Sequence, residues 1–111
     1  MNLRRGDVVT CALPGEFGKP RPVIIVQSDL FNPTHPSVTV CPVTSHIMPA
    51  VLFRVLLKPG MINGLKTESQ AMADKLATVR LERVKTVIGH LDSDDLARLD
   101  SAVMLWLGLR G

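Results

Sequence analysis

The sequence predicts a strand-rich α+β domain, a small β-barrel or sandwich followed by one C-terminal amphipathic helix. Three observations lead there. Turn signals built from Gly, Pro, Asn and Asp cut residues 1–90 into short β-branched runs. Residues 94–109 then change to a helical period. A chain of 111 residues, finally, has room for one core, so residues 1–111 form a single domain.

The strands follow in order. Residues 8–13 are a β-rich run that stops at Pro14-Gly15 and opens a Gly/Pro-rich loop through Pro20. Residues 22–27 are continuously apolar and β-branched, which suits a central strand buried on both faces. Residues 30–37 contain two prolines, an asparagine and a histidine, and form an irregular connection. Residues 38–44 make a third strand, in which Pro42 points to an edge or bulge position. Residues 53–57, 67–73 and 86–90 supply three more, with a helical turn over 80–83. In the helix, Leu96, Leu99, Val103, Trp106 and Leu107 form one stripe; Asp92 is placed to cap its start, and Gly108 or Gly111 to end it. Core packing is the expectation for Trp106 and Leu109, with a dimer contact as the competing one.

Composition narrows the classes. With 46% hydrophobic and 21% charged residues, the chain can bury enough surface to fold. It contains no apolar run of membrane-spanning length, and its first residues lead into a charged turn, so a cytoplasmic location and no membrane partner are expected. Cys11 and Cys41 lie in separate apolar runs without neighbouring histidines, which reads as two buried reduced thiols and no metal site. Residues 1–90 carry eleven Lys/Arg against six Asp/Glu, a basic balance compatible with a polyanion or with an ordinary solvated surface.

Two stretches carry chemistry. In Pro20-Arg21-Pro22 the prolines restrict Arg21 to an extended backbone at the mouth of a buried strand, fixing a forked cation where a phosphate can meet it. A surface ion pair is the plain alternative. In Thr44-Ser45-His46 a strand ends in two hydroxyls and an imidazole, groups suited to phosphate and ribose oxygens, or simply to a turn that closes the strand.

Together with the Arg5-Gly6-Asp7-Val8 opening, the strand from Arg21-Pro22-Val23 to Gln27, the segment from Glu68-Ser69 to Asp74 and Thr78, and the final helix, these residues resemble the MazF/PemK family of toxin ribonucleases across nearly the whole chain. The resemblance implies a homodimer of SH3-like barrels of the kind shared by CcdB and MazF. It also implies that the joint surface forms a groove for single-stranded RNA and that an acidic antitoxin neutralises the toxin. It implies catalysis by Arg21 and Thr44 without metal or cofactor. The implied reaction is attack of the adjacent 2′-hydroxyl on the scissile phosphate, leaving a 2′,3′-cyclic phosphate and a 5′-hydroxyl.

A threonine hydroxyl is too weak an acid to move protons unaided, so an acid or base is required. The candidates are His46 first, then Glu16 and Asp74, imidazole being the side chain most used for proton transfer. One branch of the family carries an arginine two positions before its aspartate; here that position is Met72, so packing or substrate contact suits Asp74 better than catalysis. Glu16, Phe17, Lys19, Phe31, Ser45, Ser69, Asp74 and Lys75 are the expected RNA contacts, and Arg54, Lys58, Lys66 and Arg80 are further cations that can line the groove. Phe17 and Phe31 are the candidates for stacking. Two other readings stay open: a gyrase poison like CcdB, and an RNA-binding barrel without catalysis.

Overall fold

The structure is a computed structural model that describes residues 2–15, 19–49 and 51–109. Seven strands and one long helix follow one another as β1 (Asp7–Ala12), β2 (Pro20–Ile25), β3 (Ser37–Thr44), β4 (Arg54–Leu57), β5 (Ser69–Met72), β6 (Ala77–Arg80), β7 (Val84–His90) and α1 (Ser93–Leu107). Short 3-10 turns, Ala73–Lys75 and Leu81–Arg83, flank β6. The sheet runs β4-β5-β3-β2-β1-β7, with β6 on β3, and every ladder is antiparallel. It curls without closing, which makes the expected barrel an open one.

Alternation along the central strands creates two cores. Val8, Ile24 and Cys41 face one side, where Val55, Leu57, Ala71, Leu99 and Ala102 complete a cluster. Val9, Val23, Ile25 and Val40 face the other, with Cys11, Val38, Val79 and Val84. The run at residues 22–27 is therefore apolar because β2 is covered on both faces, each buried Val or Ile contributing about 1.5–3 kcal/mol. Cys11 and Cys41 are free thiols, and they lie in opposite clusters.

Three expectations needed correction. Pro42 is on neither an edge nor a bulge, since β3 pairs with β2 along one side and with two strands in succession along the other. The β6 ladder ends at Val40 and the β5 ladder begins at Val43, so Pro42 falls in the changeover, where a missing N–H is tolerated. Residues 77–80 form a strand where the sequence reading assigned none, placing Arg80 in a helical turn instead. Trp106 and Leu109 are 49% and 59% exposed instead of packed in the core. Among the described residues of α1 only Leu99 and Ala102 are fully buried; toward its end the helix keeps one aromatic contact, Trp106 tilted on Phe53 at 5.2 Å.

Several residues of the family-like motifs prove structural. Arg5 donates to the carbonyl of Val26 at 3.1 Å and pairs with Asp100 of α1, tying the first turn to the helix. Gln27 accepts the Thr39 amide at 3.2 Å and donates to the Ser37 carbonyl at 3.3 Å, shaping the β2–β3 connection. Asp92 caps α1 by accepting the Asp95 amide at 2.8 Å, and Gly108 ends it in the left-handed conformation. No helix among the described residues is long and apolar enough to cross a membrane.

Candidate active site

The site begins with register. β2 and β3 pair Val23 with Pro42, Ile24 with Cys41 and Ile25 with Val40. Continued two residues toward the ends of both strands, the same register sets Arg21 across from Thr44. The β3 ladder starts only at Val23, so Pro20 and Pro22, which have no N–H to offer, stand beyond it. The other edge of β2 holds firm, with Cys11 of β1 paired to Arg21 and Ala12 to Pro20.

Arg21 and Thr44 line one cleft of about 410 Å³, with Leu13, Ser45, Thr67, Ser69 and Met72 among its walls. Among the described residues lining it there is a single full charge, the Arg21 guanidinium, and no carboxylate. Thr44, Ser45, Thr67 and Ser69, all hydroxyl-bearing, line the same cleft. The arrangement suits an anion with several oxygens, since the cation supplies the attraction and the hydroxyls can donate around it. The Thr44 oxygen accepts the backbone amide of His46 at 3.1 Å, which leaves its proton available for something in the cleft. Ser69 is buried and donates to the Thr67 carbonyl at 2.9 Å, bracing the opposite wall.

The other expected residues are distributed unevenly. His46 is exposed next to Ser45 and touches Thr44 through its backbone, but its side chain is not among those lining the cleft. Lys19 is exposed just before β2, and Lys75 is exposed in the turn after β5. Phe31, also exposed, belongs to the β2–β3 connection, at the opposite end of both strands from Arg21 and Thr44. Glu16 and Phe17 lie outside the described residues.

Asp74 and Arg54 hold each other. The guanidinium donates to both carboxylate oxygens at 3.1 Å, and only 8% of the arginine side chain and 15% of the aspartate side chain remain exposed. Arg54 holds the Asp74 carboxyl below its usual range, against burial acting the other way. The Arg54 charge, expected to line a groove, is thus committed to Asp74. A larger hollow of about 580 Å³ lies at the start of α1, lined by Lys58, His90, Asp92, Asp95 and Arg98. Its charges are mixed: Asp92 caps the helix and Asp95 pairs with Arg98 at 2.8 Å.

Sequence reasoning passed over Gln70. It is buried in β5, paired with Thr44 in the β3 ladder, and its amide makes two hydrogen bonds to the backbone of Met48. A single glutamine in a short strand gives no signal that would single it out.

Fold and site define a small open antiparallel barrel with an anion-receptive cleft at the paired ends of β2 and β3. The family described as PemK-like, MazF-like toxin of type II toxin-antitoxin system matches residues 4–107, and the chain belongs to it. It is 42% identical over 110 residues to the "Probable endoribonuclease MazF" of Mycolicibacterium smegmatis, spanning 98% of this chain and 100% of that one. It is 33% identical over 116 residues to "Endoribonuclease MazF9" of Mycobacterium tuberculosis, spanning 96% and 98%. Its fold matches a mycobacterial endoribonuclease solved in complex with its cognate antitoxin, with TM-score 0.83, 21% identity and 98% of each chain covered.

Proposed function

We propose that this protein is a toxin endoribonuclease that cuts single-stranded RNA at Arg21 and Thr44 without a metal ion. The observation that carries the reading is the shared cleft of those two residues, with a lone described cation set among hydroxyls. Endoribonuclease names among close relatives support the activity. The reaction is attack of the 2′-hydroxyl oxygen on the neighbouring phosphorus. A new P–O bond closes the cyclic phosphate, the P–O5′ bond breaks, the 2′ proton leaves to a base and the 5′ oxygen takes up a proton.

Negative charge grows on the non-bridging oxygens as phosphorus becomes five-coordinate. A guanidinium fixed on that spot stabilises the transition state more than the substrate, which is what lowers the barrier. Thr44, its oxygen already engaged by the His46 amide, donates its proton to one of those oxygens. His46 is the candidate proton carrier, and a pH–rate profile of His46→Gln tests it.

The working unit in this reading is a homodimer in the cytoplasm, silenced by an acidic antitoxin that lies across the basic groove. The exposed apolar end of α1, with Leu105, Trp106 and Leu109, supports a self-association surface. The antitoxin complex of the structurally similar mycobacterial protein supports the partner.

The test is incubation of the purified protein with a long RNA in EDTA, beside Arg21→Ala and Thr44→Ala. Cuts by the wild type with cyclic-phosphate ends, lost in both variants, are the expected result. Binding without cleavage, or intact RNA together with gyrase inhibition, overturns the nuclease reading in favour of a binding barrel or a gyrase poison.

A further inference from the structure

We infer that Gln70 is a positioning residue that locks the β3–β4 loop against the cleft, and that this loop, more than the β2–β3 connection, reads the RNA beside the cut. The inference rests on the nuclease reading above and extends it to substrate selection.

Gln70 acts at two levels. Its backbone pairs with Thr44, so β5 fixes a residue that lines the cleft. Its side-chain amide reaches past that pair into the loop, where Nε2 donates to the Met48 carbonyl at 2.8 Å and Oε1 accepts the Met48 amide at 3.0 Å. Two hydrogen bonds to one residue fix both its position and its orientation, and the Gln70 side chain that makes them is buried, with 5% of the residue exposed.

The loop held this way starts at Ser45, which lines the cleft. It then carries His46, Ile47 and Met48, all exposed. A fixed main chain thus carries an imidazole and two exposed apolar side chains in the three residues that follow the cleft-lining Ser45, within reach of nucleotides flanking the scissile bond. Single-stranded RNA is read through such stacking and edge contacts on splayed bases. The β2–β3 connection is anchored as firmly, through Gln27 and Asn32, but at the far end of the strands.

The test compares wild type, Gln70→Leu and Gln70→Glu on a long mixed-sequence RNA in EDTA, with cut sites mapped and the Met48 amide followed by hydrogen exchange. In Gln70→Leu the Met48 amide loses protection, cleavage at the preferred sites falls by up to about a hundredfold, as small displacements of catalytic groups do, and cuts spread to other sequences. Gln70→Glu carries an internal rescue. Its ionised carboxylate accepts from the Met48 amide and repels the Met48 carbonyl, whereas the protonated acid restores both bonds. Selectivity therefore returns in this variant as pH falls, while the wild type shows no such gain. Unchanged rate and site preference in a folded Gln70→Leu whose Met48 amide exchanges freely overturn the inference. Wild-type protein that leaves RNA intact overturns the nuclease reading instead, and Met48 exchange then still decides whether Gln70 holds the loop.

Discussion

The guanidinium of Arg54 clasps the carboxylate of Asp74 through two hydrogen bonds of 3.1 Å each, joining the first residue of β4 to the turn that follows β5. Removing one member leaves a largely buried charge without its partner. Arg54→Ala is expected to lower unfolding stability by about 3 kcal/mol, measured by urea denaturation. The pH dependence has a definite sign. Hydrogen bonding to Arg54 depresses the folded pKa of Asp74 below its ordinary 3.8, so the pair's stabilisation is complete above that value. It disappears as pH falls further, through the folded value. Wild type should lose stability below pH 3.8 more steeply than Asp74→Asn, which has no carboxylate to protonate.

Arg21→Lys keeps the charge and loses the fork. If Arg21 grips phosphate oxygens by two donors, cleavage falls by about tenfold or more in this variant while RNA binding weakens little. Arg21→Ala removes the contact altogether, and the slope of log binding constant against log salt becomes shallower by about 0.7 for one phosphate on a single strand. Fluorescence anisotropy with a labelled oligonucleotide at several salt concentrations measures both.

Two glycines are pinned by backbone. A Cβ on Gly89 would stand 2.3 Å from the Ile62 carbonyl oxygen, and one on Gly64, whose φ is +71°, would stand 2.1 Å from the Ile88 carbonyl oxygen. Neither neighbour is a side chain that can swing away. Gly89→Ala should cost about 3 kcal/mol by thermal or urea unfolding, within the range of overpacked sites. Gly108→Ala meets nothing within 4 Å and should cost about 1 kcal/mol, from its left-handed conformation alone.

Burial pushes the Cys41 thiol up to about 12, helped by the Asp74 charge and opposed by a hydrogen bond with the Met72 backbone. Burial also raises Cys11, against the nearby charges of Arg83 and Lys85. Neither thiol should react with a disulfide reagent at neutral pH until the protein unfolds, so the rate of thiol release in mild denaturant should follow global opening.

What could be read beforehand tracks what is local. The apolar run of β2 and the capped period of α1 declare themselves in neighbouring residues. β6 did not, because in Ala77-Thr78-Val79-Arg80 only Val79 is buried and nothing alternates strongly enough to mark a strand. Arg21 and Thr44 were recognisable as strand-end groups with the right chemistry, but that they line one cleft depends on a register set elsewhere, between Val23 and Pro42. Trp106 fits the helical stripe as well as Leu99 does. Only the reach of the sheet beneath α1 separates the one that is covered from the one that is not. Gln70 was invisible because its importance lies in two hydrogen bonds across 22 positions of chain.

The antiparallel ladders give β1 two neighbours, β2 close by in sequence and β7 near the end. During translation the opening strand therefore waits with one edge bare until residue 90 has left the ribosome. Any fragment that stops short of β7 lacks that last partner and leaves an edge of β1 open to unwanted pairing.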